Sequence, residues 1–390
     1  MKKVALADAS ACPYCREPLP YKTRGNLDLE PGTLLQDRYV IGRLLGRGGF
    51  GATYIAFDNA SQERCAVKEY FPNQMVTRSP DSADVTLLKP RDFEFYKQRF
   101  FAEANQLRNL SHVEGLVRLY DVFTANQTAY FVMEYLPGTN LKAYLRQHQD
   151  GLPHRNAIDI LTQLLNILSS VHSSGVLHRD ISLDNILLMD DGRVKLIDFG
   201  SARNAVQSGM TTFVKGVYTA PEQAQGMTQD KYTDLYAVGV VMFELFMGRT
   251  PKVQDGNLEP MCSDEKSPLY QVNRVYMKAT RTQPAQRYQL AQDMLSAVQA
   301  IEPIDNKTLR KTRQKKQKGG SWRREKAPKK KARADVNTYK GRAKRRHVNT
   351  GISRVRKKKE RSTASNKLLA AILVLLSVLF LALFILIVLS

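Results

Sequence analysis

The spacing of apolar residues changes along the chain, and the type of element that it predicts changes with it. Four early segments are rich in β-branched and aromatic residues, which is typical of strands: 39–45, 52–57, 65–69 and 129–134. Apolar residues recur at helical spacing in three others: 100–110, 157–172 and 233–247. Because most of the strands precede most of the helices, the pattern predicts an α+β fold with a small β-rich lobe, a larger α-helical lobe and a cleft between them.

Composition divides the 390 residues into four regions. Residues 1–36 are loop-like, whereas residues 37–304 form the only stretch able to bury a core. Residues 305–367 are rich in Lys and Arg and poor in large apolar residues, so we expect a disordered linker there. Residues 368–390 carry no charge and no proline. The predicted organisation is an N-terminal segment, one folded domain, a basic linker and an apolar C-terminal run.

The apolar run 368–390 predicts a transmembrane helix. Its 23 residues are long enough to cross a bilayer core of about 30 Å. A buried core helix is the alternative, but it would follow a long solvated segment and have nothing to pack on. Only Ser390 follows the run and the basic linker precedes it, so the positive-inside bias keeps the folded domain in the cytoplasm. These features predict a single-pass, C-terminal anchor in the cell (inner) membrane.

The basic character of the chain comes from the linker alone. The whole chain has a net charge of +22, and residues 305–367 hold 26 basic and 4 acidic residues, so residues 1–304 are neutral. Beside a membrane span, a cluster such as 354–359 is expected to bind anionic lipid headgroups. Nonspecific nucleic-acid binding through 329–331 and 344–347 is the alternative, which we favour less because the membrane is adjacent.

The four cysteines do not form a disulfide framework, which indicates a reducing compartment. Cys12 and Cys15 have the spacing of half a zinc ribbon, but a tetrahedral site needs four ligands and no second pair follows. A zinc site shared across a homodimer and a degenerate or truncated ribbon both stay open as interpretations.

A glycine pattern, G-x-G-x-x-G, lies between the first two predicted strands at Gly46, Gly48 and Gly51. Glycines let backbone N–H groups approach a phosphate closely, because no Cβ intervenes. The same pattern can open a dinucleotide-binding domain, but there a helix follows it, whereas here a strand follows. A simple hairpin turn is the other alternative.

A lysine on the third predicted strand, Lys68, is placed to reach phosphates held by the glycine loop. Its ammonium would need a carboxylate partner. Glu103 is the best candidate, and Glu94 on the same predicted helical stretch is the alternative.

The most informative segment contains Asp180 and Asn185 and, after a turn, Asp198. Two carboxylates and an amide on loops beside short apolar strands can hold Mg²⁺ and orient a hydroxyl group. At His178-Arg-Asp180, Asp198-Phe-Gly200 and Ala220-Pro-Glu222 the chain resembles the eukaryotic-type (Hanks-type) protein kinases, over residues 37–300. The resemblance implies a bilobal kinase fold, ATP and Mg²⁺ as cofactors, and transfer of the γ-phosphate to Ser or Thr of protein substrates, the chain itself included.

The resemblance assigns roles residue by residue. Lys68 would contact the α- and β-phosphates, Asp180 would accept the proton of the attacking hydroxyl group, and Asn185 and Asp198 would hold Mg²⁺. Glu222 would pair with Arg287. The predicted ATP site comprises Leu45, Gly46, Gly48, Gly49, Phe50, Gly51, Thr53, Ala66, Lys68, Glu103, Met133, Glu134, Leu136 and Leu187. Further supports would be Asp234 below the catalytic loop and a stack of Leu107, His178 and Phe199.

Three residues depart from the family pattern. Ser182 replaces the usual lysine two residues after the catalytic aspartate, and Lys215 occupies the place of a threonine on the facing loop. We hypothesise that the Lys215 ammonium takes over beside Asp180; the alternative is an ordinary exposed loop residue. Thr53 replaces a valine over the adenine. The segment from Lys68 to Pro72 and the insertion after it are similar to a bacterial branch of these kinases.

The alternative function is a pseudokinase scaffold, which would bind ATP or partners without transferring phosphate.

Overall fold

The computed structural model describes residues 27–79, 82–199 and 216–318. The strands are β1 Leu34–Leu35, β2 Tyr39–Arg47, β3 Gly51–Asp58, β4 Glu63–Tyr70, β5 Val76–Arg78, β6 Val85–Leu87, β7 Leu119–Ala125, β8 Thr128–Glu134, β9 Gly138–Asn140, β10 Ile186–Met189, β11 Val194–Leu196, β12 Val253–Gln254 and β13 Asn257–Leu258. The helices are α1 Pro90–Asn109, α2 Leu141–Arg146, α3 His154–Ser173, α4 Pro221–Ala224, α5 Lys231–Met247, α6 Tyr270–Ala279, α7 Ala291–Gln299 and α8 Asn306–Lys318.

The first lobe is a six-stranded antiparallel sheet in the order β1-β2-β3-β4-β8-β7, and the four strands expected from the sequence are β2, β3, β4 and β8. Helix α1 packs on one face through an aromatic cluster: the rings of Tyr70 and Phe100 lie 5.5 Å apart, and those of Phe100 and Phe131 lie 4.8 Å apart. The helix begins at Pro90, earlier than the apolar spacing predicted, because Phe93 and Tyr96 extend its buried face. The packing fixes α1 against β4 and β8.

The other face of the sheet is covered by residues that precede the predicted start of the domain. Leu29 and Leu35 are each only 2% exposed, and β1 pairs with β2. The lobe therefore includes residues that precede position 37, the predicted start of the domain. Leu29 and Leu35 pack in the same apolar cluster as Tyr54 and Val132, where they are shielded from water.

The second lobe is helical and is built around α5, in which every residue from Thr233 to Met247 is buried. Asp230 and Thr233 form a capping box at the start of this helix, and Gly248 ends it in the left-handed region with φ 67°. The small sheet β11-β10-β9 lies in the same part of the chain as the predicted catalytic segment. The predicted α+β fold with two lobes is confirmed.

Helix α8 contradicts the prediction of a disordered linker from residue 305. The side chain of Leu309 is fully buried, and the buried Arg313 guanidinium donates to the carbonyl oxygens of Leu152 at 2.7 Å and Gly151 at 3.3 Å. Burial lowers the pKa of Arg313 to about 10. Leu309 and Arg313 dock this helix on the second lobe. The sequence did not indicate this, because the residues around them are mostly charged.

Among residues 27–318, leaving aside the gaps, no helix is long and apolar enough to cross a membrane. The transmembrane helix predicted for 368–390, the remainder of the basic linker, and Cys12, Cys15 and Lys215 lie outside the described residues.

We predict that Leu309→Ala lowers the free energy of unfolding by about 2–5 kcal/mol, because it leaves a cavity where a leucine was fully buried. Alanine keeps the helix propensity high, so the loss reports on packing. Urea unfolding of the full chain, followed by circular dichroism, measures it. Lys311→Ala, an exposed change on the same helix, is the control; equal stability of both variants and the wild type would show that α8 does not dock.

Candidate active site

A cleft of about 650 Å³ separates the two lobes. Its walls include every residue of the predicted ATP site together with Asp180, Asn185 and Asp198. Sequence reasoning assigned no role in the site to nine other residues that line it: Arg43, Arg47, Tyr70, Phe100, Val117, Gly138, Asn140, Asp184 and Ile197. Some of them lie inside the segments singled out above, but only their neighbours in the fold place them at the cleft.

The glycine loop is the turn from β2 to β3, and it is held over the cleft by backbone hydrogen bonds. The N–H of Gly48 donates to the Gly51 carbonyl at 2.8 Å, and the N–H of Phe71 donates to the Phe50 carbonyl at 3.0 Å. A Cβ at Gly51 would collide with the Glu69 carbonyl oxygen, so only glycine fits there. The loop therefore presents backbone to the cleft.

Lys68 is the charged centre of the cleft. Its ammonium nitrogen lies 2.7 Å from Glu103 Oε1 and 2.8 Å from Asp198 Oδ1, so the pair with Glu103 expected from the sequence forms. Glu94, the alternative partner, pairs with Lys97 instead. Burial acts to lower the pKa of Lys68, but the Asp198 and Glu103 carboxylates outweigh it and raise that pKa above its ordinary value. Lys68 is therefore a permanent cation.

The catalytic loop places Asp180 beside Asn185. The Asn185 side-chain N–H₂ donates to the Asp180 carboxylate at 2.7 Å and to its carbonyl at 2.8 Å. Both residues are buried, so these bonds hold the carboxylate in one orientation. Arg179 and Asp198 have φ of 64° and 57°, a left-handed conformation that non-glycine residues rarely adopt. Strained backbone thus flanks the site on both loops.

Asp234 of α5 supports this loop from below. Its carboxylate accepts the backbone N–H groups of His178 at 2.9 Å and Arg179 at 2.7 Å, and it lies 2.9 Å from His172 Nε2. Burial alone would raise the pKa of Asp234, but the bond to His172 and the other contacts lower it below its ordinary value. The fully buried carboxylate is therefore ionised and fixes the backbone just before Asp180.

Two further contacts that the sequence analysis expected are present: one around His178 and one between Glu222 and Arg287. The ring centroids of His178 and Phe199 lie 4.5 Å apart with the rings tilted at 37°, and Leu107 is buried in the same apolar cluster as Phe199. Burial lowers the pKa of His178, so its ring is neutral near pH 7. Glu222 and Arg287 form the expected pair, with two bonds of 2.8 Å between buried side chains.

The family follows from a comparison with known sequences. The sequence model described as protein kinase domain matches residues 39–316, well over half of the chain. The chain belongs to the protein kinase family. The match ends within α8, which agrees with the docking of that helix on the second lobe.

Several curated relatives of this kinase come from bacteria. It is 30% identical over 287 residues to a probable serine/threonine-protein kinase of Clostridium acetobutylicum, which covers 70% of this chain and 41% of the relative. It is 32% identical over 290 residues to the serine/threonine-protein kinase PrkC of Bacillus subtilis, covering 70% of this chain and 42% of PrkC. The resemblance to bacterial Hanks-type kinases is confirmed. The chain spans about two fifths of the length of these relatives.

Solved structures share the fold. The apo form of PpkA-294 has a TM-score of 0.62 at 28% identity, covering 70% of this chain and 99% of that one. The kinase domain of PknI from Mycobacterium tuberculosis has a TM-score of 0.55 at 23% identity, covering 70% of this chain and all of that one, and shows the fold alone.

The family implies ATP and a divalent metal. The Lys68 ammonium and the glycine loop suit the phosphates of ATP, and the oxygen donors in the cleft suit the metal. The Asn185 amide and the Asp198 carboxylate offer hard oxygen ligands on adjoining loops. The described residues contain no group of three or more His, Cys, Asp or Glu that could hold a metal by themselves. A divalent cation such as Mg²⁺ binds through protein oxygens and completes its shell with phosphate oxygens and water.

An ion pair that the sequence did not reveal joins the end of β8 to β11, the strand just before Asp198. Lys195 of β11 lies 3.2 Å from the carboxylate of Glu134, at the end of β8. Its ammonium also donates to the Leu116 carbonyl at 3.3 Å. Because Asp198 follows β11 by two residues, this pair ties the strand that carries Asp198 to the segment joining the lobes.

Proposed function

We propose that the chain transfers the γ-phosphoryl group of ATP to Ser or Thr hydroxyl groups of proteins, its own activation segment included. The observation that carries the proposal is the Lys68 ammonium within 2.8 Å of both Glu103 and Asp198, in the same cleft as Asp180 and Asn185. Phosphoryl transfer depends on positioning and on charge stabilisation, and this cluster supplies both.

Each residue has a distinct task in this proposal. Lys68 binds the α- and β-phosphates, and the glycine loop covers them with backbone N–H groups. Asp180, held by Asn185, orients the attacking hydroxyl group and takes its proton. Mg²⁺, held by Asn185 and Asp198, neutralises charge on the phosphates when it is bound. Met133, Glu134 and Leu136 form the adenine side of the cleft.

We also propose a location for the kinase. The uncharged run 368–390 anchors it as a single span, and the basic segment after α8 binds anionic lipid headgroups on the cytoplasmic face. The support for this is composition: no charge in the span and a strongly basic segment immediately before it.

One prediction of this proposal concerns activity. The full chain with ATP and Mg²⁺ is expected to incorporate phosphate on Ser or Thr, whereas Asp180→Asn removes the proton acceptor and is expected to lose about two to four orders of magnitude in rate. Mass spectrometry maps the sites. We expect Thr211 or Thr212 among them, because both lie in the activation segment, which ends at Ala220-Pro-Glu222. Asp191→Asn, an exposed change on the β10–β11 turn, is the matched control and should keep wild-type activity. No incorporation by a folded, ATP-binding wild type would favour a pseudokinase scaffold.

Another prediction concerns Lys215, whose ammonium would replace the cation lost where Ser182 stands in place of a lysine. If the Lys215 ammonium stabilises the transferring phosphate, Lys215→Ala is expected to lower kcat/KM by roughly 10-fold or more, the size of one lost charge contact in a transition state. Steady-state kinetics on a protein substrate measure it, with the exposed Lys252→Ala as control. A value within about twofold of wild type would make Lys215 an ordinary loop residue, because such a change is below 0.5 kcal/mol.

A further inference from the structure

A short segment before the first strand lies against the glycine loop. We name Leu27–Leu29 the N-terminal latch. The family pattern begins at residue 39, so this segment precedes the matched domain. The segment nevertheless packs on the first lobe: Leu29, for example, is only 2% exposed.

The latch reaches the glycine loop through an ion pair. The Asp28 carboxylate binds the guanidinium of Arg47, the residue between Gly46 and Gly48, and the two side chains are only 6% and 22% exposed. Arg47 also donates to the side chain of Asn73 at 3.1 Å and lies over the Phe71 ring at 5.1 Å. The guanidinium is thus engaged by the latch and by the segment after β4.

Two further contacts keep the latch in place. The N–H of Leu29 donates to the Tyr54 hydroxyl at 3.1 Å, and that hydroxyl donates to Glu69 at 3.2 Å. Arg78, in the insertion, donates to the Leu27 carbonyl at 2.8 Å and forms a buried pair with Glu69. Because Glu69 adjoins Lys68 on β4, the latch is bonded to the strand that carries the charged centre of the cleft.

These contacts bear on ATP binding because the loop that would cover the phosphates is rich in glycine. A glycine-rich segment samples many backbone conformations, and ordering it on binding costs affinity. A side-chain tether in the middle of that segment removes part of the cost in advance. An unpaired Arg47, by contrast, would leave a largely buried cation without its carboxylate.

We propose that Asp28 is a positioning residue for ATP: through Arg47 it holds the glycine loop in its binding conformation and so couples the N-terminal segment to nucleotide affinity. This rests on the proposed function for its consequence in catalysis, but nucleotide affinity itself can be measured without phosphoryl transfer.

The test uses the full chain and four variants: Asp28→Asn, Asp28→Glu, Arg47→Gln and the double variant Asp28→Asn with Arg47→Gln. The control is Asp58→Asn. Asp58 pairs with Arg38 at the opposite end of the same two strands, β2 and β3, and its side chain is 8% exposed, almost the same as that of Asp28. The readouts are the Kd of a fluorescent ATP analogue, KM for ATP, kcat and the unfolding temperature.

Asp28→Asn and Arg47→Gln are each expected to raise Kd and KM for ATP roughly fivefold, with kcat within about twofold, as one partly buried ion pair would allow. The double variant should be no worse than either single one, because both remove the same interaction. Asp28→Glu, which keeps the charge, should recover most of the affinity. Asp58→Asn should leave Kd unchanged even if it lowers the unfolding temperature.

Unchanged Kd in Asp28→Asn and Arg47→Gln would overturn the proposal, and so would an equal rise in Asp58→Asn, which would indicate a general loss of stability. Additive effects in the double variant would overturn it too, because the two residues would then act separately. If the wild type binds the analogue and the variants weaken binding but no protein is phosphorylated, the latch stands and the proposed function fails.

Discussion

The active cleft depends on one constraint: the Lys68 ammonium must be neutralised by carboxylates from two different parts of the chain. Glu103 comes from α1 and Asp198 from the loop after β11, and both lie within 2.8 Å of it. A buried cation left with only one carboxylate partner would be costly. The ion pairs of Lys68 with Glu103 and Asp198 therefore fix the first lobe relative to the loop that carries Asp198. The aromatic packing of α1 and the hydrogen bonds to Asp234 help to hold the residues of the cleft in this arrangement.

Buried ion pairs recur wherever a loop must be held in one place. Arg78 and Glu69 fasten the insertion to the back of the first lobe, and Arg287 and Glu222 fasten the segment that begins α4. Such pairs contribute little net stability, because desolvation offsets their attraction, but removing one partner is costly. Their consequence is a fixed geometry for the loops around the cleft.

Motif residues were predictable from the sequence because their chemistry is local. Gly51 must be glycine beside the Glu69 carbonyl, and Asp180 and Asn185 are five residues apart and bond directly. The positions of the carboxylates along the chain favoured Glu103 as the partner of Lys68 but left Glu94 open as the alternative. The cofactor roles assigned to these residues stay predictions.

Other parts of the fold could not be predicted, because single side chains decide them. Leu309 docks α8 within a segment whose composition is that of a disordered chain, and Leu29 brings the N-terminal segment onto the sheet. In the insertion between Pro72 and α1, the side chains of Met75, Val76 and Val85 are buried, and β5 and β6 form a hairpin. Long-range contacts of this kind leave no periodic pattern in the sequence.

The most direct test of the account is the rate of phosphoryl transfer by Glu103→Gln beside Glu94→Gln, two carboxylates on the same helix. Glu103 holds Lys68, whereas Glu94 is exposed and pairs with Lys97. The account predicts a loss of about 100-fold or more in kcat/KM for Glu103→Gln, the scale of a misplaced catalytic group, and no change for Glu94→Gln. Equal rates for the two variants would contradict it.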